Sequence, residues 1–284
     1  MSEIDYDREY DNRARVPEHP QVFAAWARDA AAYRAGHAGA RLGVSYGPSP
    51  RQTLDIFPAS GAGDDTPLAL FVHGGWWRSF DPSSFSQMAA GPNAHGVTVA
   101  VAGYDLCPQV SVAQIVDQIR AACLMLWRSY RRRLVVYGHS AGGHLAACMA
   151  ATNWSSLDPD APPDLVPAGY AISGVFDLAP LLHTTINADL RLTEMTARMV
   201  SPIHWPVPPG RTLDAVVGAL ESSEFLRQSR DMAQAWAGVA HTHYAAIPGA
   251  NHFTVLTPLT EPGSAMTARV VELARHPQGV SRRR

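Results

Sequence analysis

The reading turns on residues 134–150, LVVYGHSAGGHLAACMA. Four residues, Leu134-Val135-Val136-Tyr137, two of them β-branched, run straight into Gly138-His139-Ser140-Ala141-Gly142, and an alanine-rich segment follows. The first part has the composition of a buried strand and the last that of a helix. A G-x-S-x-G turn between the two is tight and strained. Its glycines let neighbouring main chain pass closely, and its serine hydroxyl is lifted off the strand end toward the positive end of the next helix. The competing reading is an ordinary turn with a helix-capping serine. A strand before and a helix after favour Ser140 as a nucleophile.

Working outward, short apolar runs alternate with helical patterns over most of the 284 residues. Strands are predicted at Leu42–Tyr46, Thr53–Phe57, Leu68–Val72, Val97–Ala102, Leu134–Tyr137, Ala168–Ile172, Leu213–Val217 and His243–Ile247. Helical patterns fill 83–95, 111–130, 141–153, 223–237 and 264–275. The first two runs are separated by a short turn containing Gly47 and Pro48, as in an antiparallel hairpin. The later ones are separated by helices, which implies a mostly parallel sheet covered on both faces. This describes one α/β domain over residues 1–284, with an eight-stranded sheet. Residues 1–40 form a charged helical leader with Val22, Phe23, Trp26 and Ala30 on one face. The proline-rich stretch 173–212, between the sixth and seventh strands, is long enough to form a small cap over a site.

A serine hydroxyl needs a base to take its proton. His252, in Asn251-His252-Phe253 just beyond the eighth run, sits at the carboxyl end of the sheet, where open α/β folds keep their sites. His241 and His243 share a strand face and suggest a metal pair, but a third ligand is lacking, so no metal and no cofactor are expected. Glu221 lies in the loop after the seventh run, where a carboxylate can orient the imidazole and stabilise its protonated form. Asp177, after the sixth run, competes for that role, although its setting also suits a helix cap. Directly after the third run comes His73-Gly74-Gly75-Trp76-Trp77. Backbone N–H groups there can hold the negative charge that acyl transfer places on a carbonyl oxygen, and losing one such donor costs about 2.7–4 kcal/mol. The candidates are Gly74, Gly75 and Trp76, together with Ala141, the residue after the nucleophile.

Taken together, these segments resemble the α/β-hydrolase family. Within it the chain is similar to the kynurenine formamidases (arylformamidases) of the hormone-sensitive-lipase-like branch. The resemblance runs over EYDNRARVPEHP, YGPSPRQTLDIF, HGGWW, YDLCP, GHSAGGHLAA, ISGVFDL, VGALESSEFLRQS and PGANHF. It implies Ser140 as nucleophile, Glu221 as acid, His252 as base and HGGWW in the oxyanion site. Two departures stand out: the family's acid loop carries aspartate where this chain has Glu221, and many relatives lack the tryptophan pair. Relatives in this branch are often homodimers, but the sequence itself carries no interface signal.

Aromatic and ring side chains beside these motifs (Trp76, Trp77, Tyr104, His144, Phe176 and Phe253) are the expected substrate contacts, in a pocket for a planar acyl compound. The expected reaction is hydrolysis of a small-molecule aryl formamide such as N-formylkynurenine through an acyl-enzyme. A carboxylesterase or amidase for another small acyl substrate is the alternative, and a non-catalytic ligand-binding protein on the same fold is a third reading. Composition narrows the field further. The chain has 23 basic residues, all arginine, against 25 acidic ones, for a formal charge of -2, which gives no basic excess for a nucleic-acid backbone. No apolar run is long enough for a membrane span, and the acidic start MSEIDYDREYDNR does not look like a signal peptide. Cys107, Cys123 and Cys148 read as buried small apolar residues, so the expected location is the cytoplasm.

Overall fold

The computed structural model describes residues 4–276. Eight strands form one sheet: β1 (Arg41–Ser45), β2 (Thr53–Phe57), β3 (Leu68–Val72), β4 (Thr98–Ala102), β5 (Leu134–His139), β6 (Ala168–Ile172), β7 (Thr212–Gly218) and β8 (His241–Ile247). Their order is β1-β2-β4-β3-β5-β6-β7-β8. The β1/β2 and β2/β4 pairs are antiparallel, and every other pair is parallel. β3, β4 and β5 are buried along their whole length, as central parallel strands must be when helices cover both faces. This is the architecture of the α/β-hydrolases.

Among the described residues ten α-helices surround the sheet: α1 (Tyr6–Tyr10), α2 (Asn12–Arg15), α3 (His19–Gly36), α4 (Ala90–Ala94), α5 (Val112–Tyr130), α6 (Ala141–Ala151), α7 (Asn187–Leu190), α8 (Glu194–Met199), α9 (Ser223–Trp236) and α10 (Ala265–Arg275). α5 begins with a reciprocal capping box between Ser111 and Gln114 and ends on Arg131 in the left-handed conformation. α6 is buried on every side, which fits its run of alanine, glycine and cysteine. α3 turns Trp26 and Ala30 into the core and rests Val22 and Phe23 against it. No helix among the described residues is long and apolar enough to cross a membrane.

The sequence pattern misjudged one element. The helix expected over 83–95 is two 3₁₀ turns, Pro82–Ser84 and Ser86–Ala89, followed by the five-residue α4. Phe85, between the turns, leaves the helical region with φ -130°, and Gly96 closes the segment at positive φ. Residues 173–212 hold 3₁₀ turns at Ala179–His183 and Pro202–His204 with the short α7 and α8 between them. Leu178, Leu181, Ile186, Leu190, Leu192, Ala197 and Val200 anchor this segment in the main core.

Candidate active site

The turn between β5 and α6 carries Ser140 at φ 57° and ψ -117°, a conformation that L-residues avoid and that costs on the order of 1–3 kcal/mol. Its amide donates to Ile172 O across to β6 at 2.8 Å. Gly142 is what lets the turn close. A Cβ there would stand 1.9 Å from the Val72 carbonyl oxygen at the end of β3. The geometry is that of a nucleophile elbow.

His252 follows β8 and is buried. Its Nδ1 lies 2.6 Å from Glu221 Oε2. A carboxylate only accepts, so Nδ1 carries a proton, and in the neutral ring that leaves Nε2 with the free lone pair. Glu221 sits between β7 and the Ser222 cap of α9, and its other oxygen accepts from Ser173 Oγ at 2.5 Å and from the Gly218 amide at 2.7 Å. Main-chain bonds from Ala219 to Ile247 and from Leu220 to Ala250 tie the Glu221 loop to the segment carrying His252. His139, the residue before the serine, approaches the His252 carbonyl through Nε2 at 2.7 Å. Burial, and the neighbouring His252, hold His139 well below the ordinary histidine range, so it is the neutral ring that donates this bond. Ser140 and His252 line one cavity, although no hydrogen bond joins their side chains in this arrangement. Catalytic hydrogen bonds of this kind commonly tighten only with substrate in place.

Asp177 lies elsewhere. Its carboxylate accepts from the Ala179 amide at 3.1 Å, and its own amide donates to Gln228 Oε1. That is a turn-capping role, so the structure brings Glu221 rather than Asp177 to the imidazole.

The loop after β3 faces the serine. A Cβ on Gly74 would fall 2.9 Å from the Ser140 Cβ, and one on Gly75, at φ 106°, would fall 2.6 Å from Ser79 O. Trp76 and Trp77 both have positive φ, a second strained stretch beside the first. The amides of Gly74, Gly75, Trp76 and Ala141 have no backbone partner among the described residues, which leaves them free to receive an oxyanion. Behind them His73 stacks between Tyr104 (4.4 Å between ring centroids) and Phe85 (5.6 Å), and its Nδ1 is 2.7 Å from Gly74 O. Burial depresses His73 to about 4, so it stays neutral and acts as a brace for this loop.

The cavity measures about 810 Å³, ample for an aryl substrate. Of the expected substrate contacts, Trp76 and Phe253 line it. Trp77, Tyr104, His144 and Phe176 do not, because all four are fully buried in the core. Trp77 packs edge-on against His144, whose Nε2 is bonded to Val200 O at 2.6 Å. Tyr104 is spent on His73, and Phe176 packs with Ala147, Leu213, Met232 and Trp236. Aromatic residues that the motifs did not flag take their place: Tyr10, Phe23, Trp26, Phe80 and Phe85. The segment 173–212 contributes only Thr185 and Ile186, so the leader covers more of the cavity than the expected cap does. The periodic aromatics of α3 were the available clue to this wall. Ser173 and His139 gave no comparable signal. His241 and His243 stand on β8, and among the described residues no group of three or more His, Cys, Asp or Glu is placed to hold a metal ion.

Comparison with known proteins agrees with this geometry. Residues 54–183 match the BD-FAE family model. A kynurenine formamidase of Salmo salar is 30% identical over 251 residues, covering 84% of this chain and 83% of that protein. A crystal structure of a candidate thioesterase from Silicibacter sp. tm1040 superposes with TM-score 0.85 at 32% identity, over 94% of this chain and 99% of the other. An esterase of the bacterial hormone-sensitive lipase family shares the fold, with TM-score 0.68 at 20% identity over 93% of this chain and 99% of that one. The chain is a hydrolase of the α/β-hydrolase fold and belongs to the family of the kynurenine formamidases.

Proposed function

We propose that the protein is a serine hydrolase that cleaves an aryl formamide such as N-formylkynurenine to formate and the free aryl amine. The observation that carries this reading is the buried Glu221–His252 pair opening on the same aromatic cavity as Ser140. His252 Nε2 takes the Ser140 proton as Oγ attacks the formyl carbon, while Glu221 stabilises the imidazolium. The carbonyl electron pair moves onto oxygen, where the amides of Gly75, Trp76 and Ala141 receive it. Collapse of the intermediate breaks the C–N bond, and His252 returns its proton to the departing amine. Water, deprotonated by His252, then attacks the formyl ester on Ser140. Formate leaves and the hydroxyl is restored.

The relationship to kynurenine formamidases supports the formamide as acyl donor. The same residues would hydrolyse an activated ester, and the esterase and candidate thioesterase folds support a carboxylesterase as the second reading. Formate release from N-formylkynurenine, compared with turnover of p-nitrophenyl acetate, separates the two. A kcat/KM for the formamide that exceeds the ester's upholds the first reading, and ester turnover with an untouched formamide overturns it. If Ser140 takes no label from a fluorophosphonate, the protein is a ligand-binding module instead.

A further inference from the structure

The leader motif EYDNR supplies a wall of the cavity that the chemistry above leaves unused. Asp5, Asp7, Arg8, Asp11, Asn12, Arg13 and Arg15 all face it. Most of their polar groups are already engaged. Asp5 and Asp11 cap α1 and α2 through the amides of Arg8 and Ala14. Asp7 accepts from the amide and hydroxyl of Thr185. Arg15 pairs with Glu9, and Arg78, which also lines the cavity, pairs with Asp189. Arg8 and Arg13 differ: neither has a carboxylate partner among the described residues, and the Arg13 guanidinium lies over the Phe23 ring at 5.8 Å. Beside it Asn12 is 5% exposed, and its Nδ2 is buried without any hydrogen-bond partner. A buried donor left unpaired costs about 1–3 kcal/mol, so this wall gains from any acceptor that reaches Asn12.

The spacing says what that acceptor is attached to. Phe23 stands 5.0 Å from Phe253, and Phe253 stands 5.5 Å from the His252 ring. Two aromatic rings therefore separate the base from the guanidinium. We propose that Arg13, with Asn12 beside it, binds a carboxylate on the substrate, across an aryl body that lies along Phe23 and Phe253 with its reacting carbonyl at Ser140. Arginine suits this task because its planar fork meets both carboxylate oxygens at once, and the aromatic ring beneath it holds its plane. The leader then selects aryl acyl compounds with an anionic tail over neutral ones. The inference rests on the proposed site for its orientation, but its test does not require catalysis.

The test is calorimetric titration of the Ser140→Ala protein with 4-oxo-4-phenylbutanoate and with its uncharged primary amide. The acid is expected to bind at least tenfold more tightly than the amide, with the preference shrinking as salt is raised. Adding Arg13→Ala is expected to bring the two affinities within about twofold, while Arg13→Lys retains part of the preference as a point charge. Equal binding of acid and amide by the Ser140→Ala protein overturns the proposal, and so does a preference that survives Arg13→Ala or a failure to bind either compound. Formate release, measured separately on the unmodified enzyme, judges the catalytic reading whichever way the titration falls.

Discussion

Replacing Glu221 with glutamine removes one negative charge and keeps the side-chain shape. The carboxylate makes three short contacts: 2.6 Å to His252 Nδ1, 2.5 Å to Ser173 Oγ and 2.7 Å to the Gly218 amide. All three partners donate, whereas glutamine has one accepting oxygen and one donating nitrogen. With its oxygen toward Ser173 and Gly218, its NH₂ faces Nδ1, and the imidazole must move its proton to Nε2. That tautomer cannot take the serine proton. With the amide flipped, the NH₂ meets the Gly218 N–H head-on, and the loop is pushed apart. The wrong tautomer at such a site lowers kcat by about 10⁴, or roughly 5.5 kcal/mol of transition-state stabilisation. KM should move little, because Glu221 does not line the cavity. Steady-state kinetics on the formamide and on p-nitrophenyl acetate measure the effect for whichever substrate is turned over. Asp177→Asn, which keeps an oxygen to accept from the Ala179 amide, is expected to change stability by no more than about 0.5 kcal/mol and to leave kcat within a fewfold. A fall of less than tenfold for Glu221→Gln, or a larger kinetic loss for Asp177→Asn, refutes the assignment.

Gly142→Ala drives a Cβ to within 1.9 Å of the Val72 carbonyl oxygen, so the end of a central strand must shift. A loss of about 3 kcal/mol or more is expected in urea unfolding, against no more than about 0.5 kcal/mol for Gly63→Ala, which meets nothing within 4 Å. Stability should also fall in mild acid. Burial holds His73 and His144 at about 4, whereas unfolded histidine titrates near 6.5, so the unfolded chain binds the extra protons. This contribution is complete above about pH 6.5 and is lost as pH falls toward 4, where the loss reaches about 3 kcal/mol per ring. His144→Gln is expected to flatten the dependence of the urea midpoint between pH 7 and 4.5, and an unchanged slope counts against the argument.

How much of this could be read from the sequence depended on how local each signal was. Ser140 was legible because strand, turn and helix lie in one continuous stretch. His252 and Glu221 followed from their positions after β8 and β7, since parallel strands bring their carboxyl ends to one rim. Ser173 and His139 were not legible, because their roles exist only once β6 meets β7 and the elbow meets the His252 loop. Proximity to a motif also misled. Trp76 and Trp77 are neighbours, yet one faces the cavity and the other is sealed in the core, because both take a left-handed backbone and the chain turns between them. The leader's part in the site was hidden because Tyr10 reaches it only by docking on α9, donating to Glu224 and packing against Trp76 and Phe225.

The most direct test of the whole account is to locate the covalent intermediate. The protein is incubated with a fluorophosphonate, digested, and its peptides are sequenced by mass spectrometry. One adduct per chain is expected, on the Ser140 hydroxyl, lost in Ser140→Ala together with turnover and slowed in proportion to kcat in Glu221→Gln. An adduct on any other residue, or full hydrolytic turnover by Ser140→Ala, would contradict it.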